Sequence, residues 1–265
     1  MNATHALMKL GKTVLTIVIS AAVVIFLWWA FLKITNVNQL VAKTPKDVWD
    51  YLFTGPDAGA NRGKVLHPLW QTVVDAGIGY LFGMLAAFIA ALVFVLFRPV
   101  EQTLMPVAIV LQSMPIIALA PMLIYIFDRG ITGVGVVAGL IVFFPALVTI
   151  AFGLRSASKQ SAEFCQVYGA GRITIARKVM VPSSMPALFT AARIAVPGAV
   201  VGAMIAEWLA TGRGLGYAMA VDPNSFDYTH IWASVVAITV TSVVVYFGLG
   251  AVETLALTRM GSNQK

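Results

Sequence analysis

The sequence predicts an all-α membrane protein of about six transmembrane helices, with a two-helix loop on its cytoplasmic side. Three observations predict it. Of 265 residues, 59% are hydrophobic and 11% charged, with mean hydropathy +0.87; soluble domains carry about 25% charged residues. Six apolar windows, at about 15–32, 73–97, 104–127, 131–152, 186–210 and 231–251, approach or exceed the roughly 20 residues that a spanning helix needs. In hydrocarbon the backbone must satisfy itself, which selects helices over open strands. The third observation is a basic, glycine-broken interruption at about 153–185. The simplest organisation is one membrane domain over 1–265.

The first window follows Lys9 and Lys12, as a secretory signal would. Its apolar stretch is longer than a signal core and ends in "LWWAFLKITN" without a small-x-small cleavage site, so it is expected to be retained. Trp28 and Trp29 suit an interfacial anchor. In the loop that follows, Thr44-Pro45 with Val48, Trp49 and Leu52 predicts a short, capped amphipathic helix. Gly55, Pro56, Gly59 and Gly63 predict irregular chain after it.

The second window carries Asp75 near its outer end, where water is expected to reach it. Gly79-x-x-x-Gly83, Gly135-x-x-x-Gly139 and Gly198-x-x-x-Gly202 predict close helix packing. Pro115, Pro121 and Pro145 are placed to break or bend spans near the midplane, freeing backbone groups for a polar solute. In the fifth window, Arg193 lies two turns inside and can snorkel. Glu207, at the outer end, is a candidate for a gate or pathway position or for a structural pair. Gly212–Gly216 reads either as a turn near the pathway mouth or as an ordinary turn. His67 and His230 have no second ligand in sequence, and the single Cys165 excludes an internal disulfide, so no metal or cofactor is expected on this chain.

The interruption holds Arg155, Lys159, Arg172, Arg177 and Lys178 around one carboxylate, Glu163. Ser158 or Ser161 can cap a helix presenting Phe164, Val167 and Tyr168, and Gly169 is placed to stop it in the left-handed conformation. Arg172–Val181 supports a second helix, with Ile173, Ala176, Val179 and Met180 largely on one side, Pro182 limiting it and Pro186 opening the next span. Three readings compete: a headgroup-binding loop, a nucleic-acid-binding helix-turn-helix, and a docking element for a soluble partner. The second needs a free recognition helix, so no nucleic-acid partner is expected. The apolar residues favour docking, since a merely solvated loop has no use for Phe164, Tyr168 and Ile173. With the N-terminus in the cytoplasm, eleven Lys and Arg fall on the loop side and seven on the other, which puts both termini and the loop inside.

Glu163, Gly169 six residues later and Val179-Met180-Val181-Pro182 meet the spacing of a signature written E-A-A, three residues, Gly, nine residues, I-x-L-P. The stretch resembles the cytoplasmic signature of bacterial ABC importer permeases. Ala170 follows the glycine as is usual; Phe164 and Cys165 replace two alanines. "TPKDVWDYL", "LHPLWQTVVDAGIGYLFG", "LQSMPIIALAPMLIYIF" and "AEWLATGRGLGYAMA" resemble landmarks of the nitrate/sulfonate/taurine group, although Asp75 stands where many relatives carry a basic residue.

The resemblance implies a non-catalytic permease subunit in the plasma (inner) membrane of a bacterium. Its implied partners are a second permease copy, two ATP-binding subunits and an extracytoplasmic solute-binding protein, with ATP and Mg2+ held by the ATPase. Glu163, Phe164, Tyr168, Gly169, Ala170, Arg172, Ile173 and Pro182 become the ATPase-coupling residues; Glu207, Pro115 and Pro121 become pathway or gate candidates. The implied solute is a small anion such as a sulfonate, taurine or nitrate. The alternatives are a heterocyclic vitamin precursor of the pyrimidine or riboflavin type, toward which "PIIALAP" leans, and a secondary transporter. The chain shows no GxxxxGK[ST] loop and no HExxH.

Overall fold

In a computed structural model, described over residues 3–35, 37–225, 227–259 and 261, the chain is helical throughout, with no strand among the described residues. Lys265 lies outside them. Helix α1 is Ala3–Thr35, α2 Pro45–Trp49, α3 Ala58–Leu96, α4 Arg98–Gln112, α5 Ile116–Phe127 and α6 Ile131–Arg155. The loop adds α7 (Lys159–Val167), α8 (Arg172–Ile175) and α9 (Val181–Ser183); α10 (Met185–Ala206), α11 (Gly214–Ser225) and α12 (Tyr228–Arg259) complete the chain. Among the described residues five helices are long and apolar enough to cross a membrane, six if α4 and α5 form one broken span.

The chain divides into two compact units. One takes the chain up to Val65 together with Asp222–Val235. In it Trp28 stacks on Trp232 with ring centroids 5.2 Å apart, and the Trp232 indole N–H donates to the Val41 carbonyl at 2.9 Å. Thr44 and Asp47 cap α2 reciprocally: the Asp47 N–H donates to Thr44 Oγ1 at 3.2 Å, and the Thr44 N–H to Asp47 Oδ2 at 2.8 Å. His230 Nδ1 lies 2.6 Å from Asp222 Oδ2, so the partner that sequence left unnamed is a carboxylate. Burial, with Asp227 and Asp222 nearby, pushes the Tyr51 hydroxyl up to about 12.

The other unit takes Leu66–Val221 together with the chain from Val236. Its core is α6, laid between α3 and α10. A Cβ on Gly79 would collide with Ala138, and one on Gly83 would lie 2.6 Å from the Gly139 carbonyl. From α10, a Cβ on Gly202 would lie 2.6 Å from the Cα of the same Ala138. The glycine pairs therefore serve packing within the chain, where backbone approaches backbone. Gly83→Val should cost about 1–3 kcal/mol through overpacking. Gly77→Ala, in the same helix with nothing within 4 Å, should be neutral or mildly stabilising; thermal unfolding in detergent separates the two.

The 104–127 window is not one straight helix. It breaks at Ser113–Pro115 and turns through 104°. Pro115 stands at the N-cap of α5, where its missing N–H cannot continue α4. Pro121 and Pro145, placed by sequence as breakers, lie inside uninterrupted α5 and α6. The 12 residues of α5 reach only about 18 Å, short of the roughly 30 Å hydrocarbon core.

Candidate functional site

Two places concentrate the chain's unexplained chemistry. The first is the loop. Ser158 is the cap: its Oγ accepts from the Ser161 N–H at 3.4 Å. Gly169 ends the segment with φ 78°, while the N–H groups of Gly169 and Ala170 return to the carbonyls of Gln166 and Cys165, both at 2.9 Å. Phe164 and Tyr168 touch, with ring centroids 4.8 Å apart. Yet Phe164 is 64% exposed, and Tyr168 and Ile173 are 76% exposed. Val167, left out of the coupling set predicted from sequence, is more exposed still. Its position in the same turn as Phe164 and Tyr168 was the available signal. Glu163 and Arg172 are also exposed, and Ala170 is half-buried.

Two expectations for the second loop helix need correction. Ile173 does not share a face with Ala176: Ile175 and Ala176 are buried, and Ile173 points outward. Nor does Pro182 stop the helix. A π-helical turn, Ala176–Met180, precedes it and leads into α9, absorbing the hydrogen bond that proline cannot make. The Ser184 N–H donates to the Met180 carbonyl and the Leu188 N–H to the Ser184 carbonyl, each at 2.9 Å. The loop thus runs into α10 through a hydrogen-bonded joint.

The second place is the far end of α10, where Glu207 opens another π-helical turn, Glu207–Thr211. Glu207 and Asp75 are 0% and 1% exposed, so Asp75 is not hydrated as expected from its position. Thr72 Oγ1 donates to Glu207 Oε2 at 2.8 Å, and the Gly216 N–H donates to the same oxygen at 2.9 Å. Thr72 Oγ1 in turn accepts from the Leu215 N–H at 2.8 Å. The carboxylate therefore sits at the N-terminus of α11, where free N–H groups and the helix dipole favour negative charge. Gly214, at φ 83°, is obligatory: a Cβ there would run into the Glu207 carboxyl. Gln71 Nε2 donates to Asp75 Oδ1 at 3.1 Å, while Glu207 Oε1 and Asp75 Oδ2 are buried without a protein partner. "GRGLG" is thus a turn built around Glu207. Pro115 and Pro121 do not take part in this network.

Arg193 does not snorkel unpaired. Its Nη1 lies 3.3 Å from Glu253 Oε2 on α12, and its guanidinium sits 5.4 Å from the Tyr246 ring centroid. Glu253→Ala should cost about 1–2 kcal/mol, since the stranded cation is only partly buried. Exchanging the charges, with Arg193→Glu and Glu253→Arg together, should restore part of the thermal midpoint.

No group of three or more metal-ligating side chains occurs among the described residues. What the chain offers is a set of packed spans, an exposed apolar surface on the loop and a hydrogen-bonded turn around Glu207. The sequence model described as "binding-protein-dependent transport system inner membrane component" matches residues 79–260, and the chain belongs to that family. It is an ABC importer permease, a multi-pass inner-membrane component of a system that includes an ATPase and a binding protein. Among its relatives is a probable ABC transporter permease protein of Haemophilus influenzae, 26% identical over 86% of this chain and 90% of the relative. The formylaminopyrimidine transport permease protein ThiX of Halalkalibacterium halodurans is 30% identical over 70% of this chain and 74% of its own length. The taurine transport system permease protein TauC of Escherichia coli is 24% identical over 88% and 85%.

Proposed function

We propose that two copies of this chain form the pathway, and that Glu163–Pro182 of each seats in a groove of one of two ATP-binding subunits. ATP and Mg2+ belong to those subunits, and both termini of this chain lie on their side of the membrane. The observation that carries this reading is the exposed row Phe164, Val167, Tyr168 and Ile173, bent around Gly169 at the signature spacing. Such a surface gains by being covered. Movement of the ATPase then pulls on Ile173 and the π-helical turn, and the joint at Ser184 passes the pull to α10. That helix, of 22 residues, is a rod of about 33 Å that ends at Glu207. Glu207 holds α11 to α10 and α3, so displacement at the loop reaches the far mouth as a shift of this turn. Thr72, Glu207 and Gly216 form the outer gate's pin.

For the solute, we favour a small nitrogen heterocycle of the aminopyrimidine kind. The ThiX relative, at 30% identity, supports it. So does the charge inventory: the span cation Arg193 is paired with Glu253, and the buried polar pair at the far end is acidic. An anion finds little to balance it there. Taurine, through a relative covering 88% of the chain, is the second reading. The test is uptake by cells expressing the chain with its ATPase and binding protein. Labelled aminopyrimidine should enter, survive collapse of the ion gradients and stop on ATP depletion. Preferential uptake of taurine or nitrate would reverse the solute assignment, and uptake lost with the ion gradient but not with ATP would overturn the importer mechanism.

A further inference from the structure

A cavity of about 1010 Å³ opens between α4, the end of α6 and the start of α7. Its rim carries Arg98, Arg155 and Lys159, and its wall carries Met105, Ile109 and Val110. Arg155 is ion-paired with Glu101. Arg98 and Lys159 are exposed and take part in no ion pair among the described residues. Along α4 only Ala108 is buried; Ile109 and Val110 stand more than half exposed. The cavity thus joins two unpaired cations to a bare apolar wall, about 16 Å of helix separating Arg98 from Ile109.

That pairing selects its occupant. A soluble anion would neutralise Arg98 and Lys159 but leave the wall wet. A zwitterionic lipid would cover the wall but bring its own ammonium beside two free cations. An anionic phospholipid satisfies both, and basic pockets between spans on the cytoplasmic side suit such headgroups. We infer that this cavity binds one anionic phospholipid, its phosphate held by Arg98 and Lys159 and an acyl chain lying along Met105, Ile109 and Val110. The inference rests on the cytoplasmic placement of the loop. Ala157, Ala162 and Met180 line the same cavity, so the lipid touches the base of the docking loop and braces it against the membrane.

The test is native mass spectrometry of the delipidated full-length permease, titrated with phosphatidylglycerol or with phosphatidylethanolamine of the same acyl chains. Phosphatidylglycerol adducts should persist about thirtyfold more strongly, as expected for two basic contacts at a membrane surface. The double variant Arg98→Gln with Lys159→Gln should lose that preference. Equal retention of the two lipids by the unaltered protein overturns the inference, without needing any variant to fold. So does a double variant that keeps the preference, or adducts that form on the monomer and vanish in the dimer, which would assign the cavity to a second copy of the chain. Co-purification of the ATPase is scored separately on the same preparations, so failure of lipid binding and failure of the docking reading are told apart.

Discussion

Glu207→Ala is expected to destabilise this end of α10 by about 2 kcal/mol, because it strands the buried Gly216 N–H and removes the better acceptor of the Thr72 hydroxyl. Both groups lie within reach of Glu207 Oε2; without it the Thr72 hydroxyl falls back on the Pro68 carbonyl at 3.2 Å, while the orphaned N–H costs about 1–3 kcal/mol. The start of α11 should then detach from α3 and α10, and transport should fall at least tenfold even in protein that remains folded. Glu207→Gln keeps an oxygen where both donors point and should recover most of the stability. If transport recovers with it, the residue is a pin. If the Gln variant is stable but inactive, the charge itself is required. Thermal unfolding and uptake on the same preparations decide between these outcomes.

The loop gives the second large effect, of a different kind. Phe164→Asp and Ile173→Asp should leave the fold within about 0.5 kcal/mol, since both side chains already face solvent. As the apolar anchors of an interface, each should weaken ATPase binding by about 30-fold or more. Uptake should be lost with no change in thermal midpoint. An equal loss for Lys178→Gln, which is exposed but polar, would indicate that the loop acts through charge rather than through apolar seating.

What sequence disclosed and what it withheld follow a physical line. Short-range rules worked at Thr44, at Ser158 and at Gly169, where a cap or a positive φ is settled by residues a few positions away; the reciprocal Asp47 came only with the structure. Composition alone was enough for the helical membrane class. Glu207 stood out because a carboxylate near the end of a span is costly, but its partner Thr72 is 135 residues away and no spacing connects them. Asp75 was misplaced because position along a span does not report burial: its partner Gln71 is one turn away, yet the residue is 1% exposed. The survival of the helix through Pro182 depends on one π-helical turn, which shifts the helical register that a 3.6-residue period assumes. The angle at Pro115 is likewise beyond sequence, which marks a break but not how far the chain turns.

The central claim is that Glu163–Pro182 docks an ATP-binding subunit, and co-purification tests it most directly. The chain would be co-expressed with its candidate ATPase and captured in mild detergent, alongside Gly169→Arg. That substitution puts a bulky charge at a left-handed turn where nothing in the chain lies within 4 Å; any side chain at φ 78° costs about 1–2 kcal/mol of local strain, which Gly169→Ala measures alone, so the difference between the two variants falls on whatever covers the turn. The ATPase should be retained by the unaltered chain and released by Gly169→Arg, with the permease folded in both. An ATPase that never binds, or one that binds both chains alike, would contradict it.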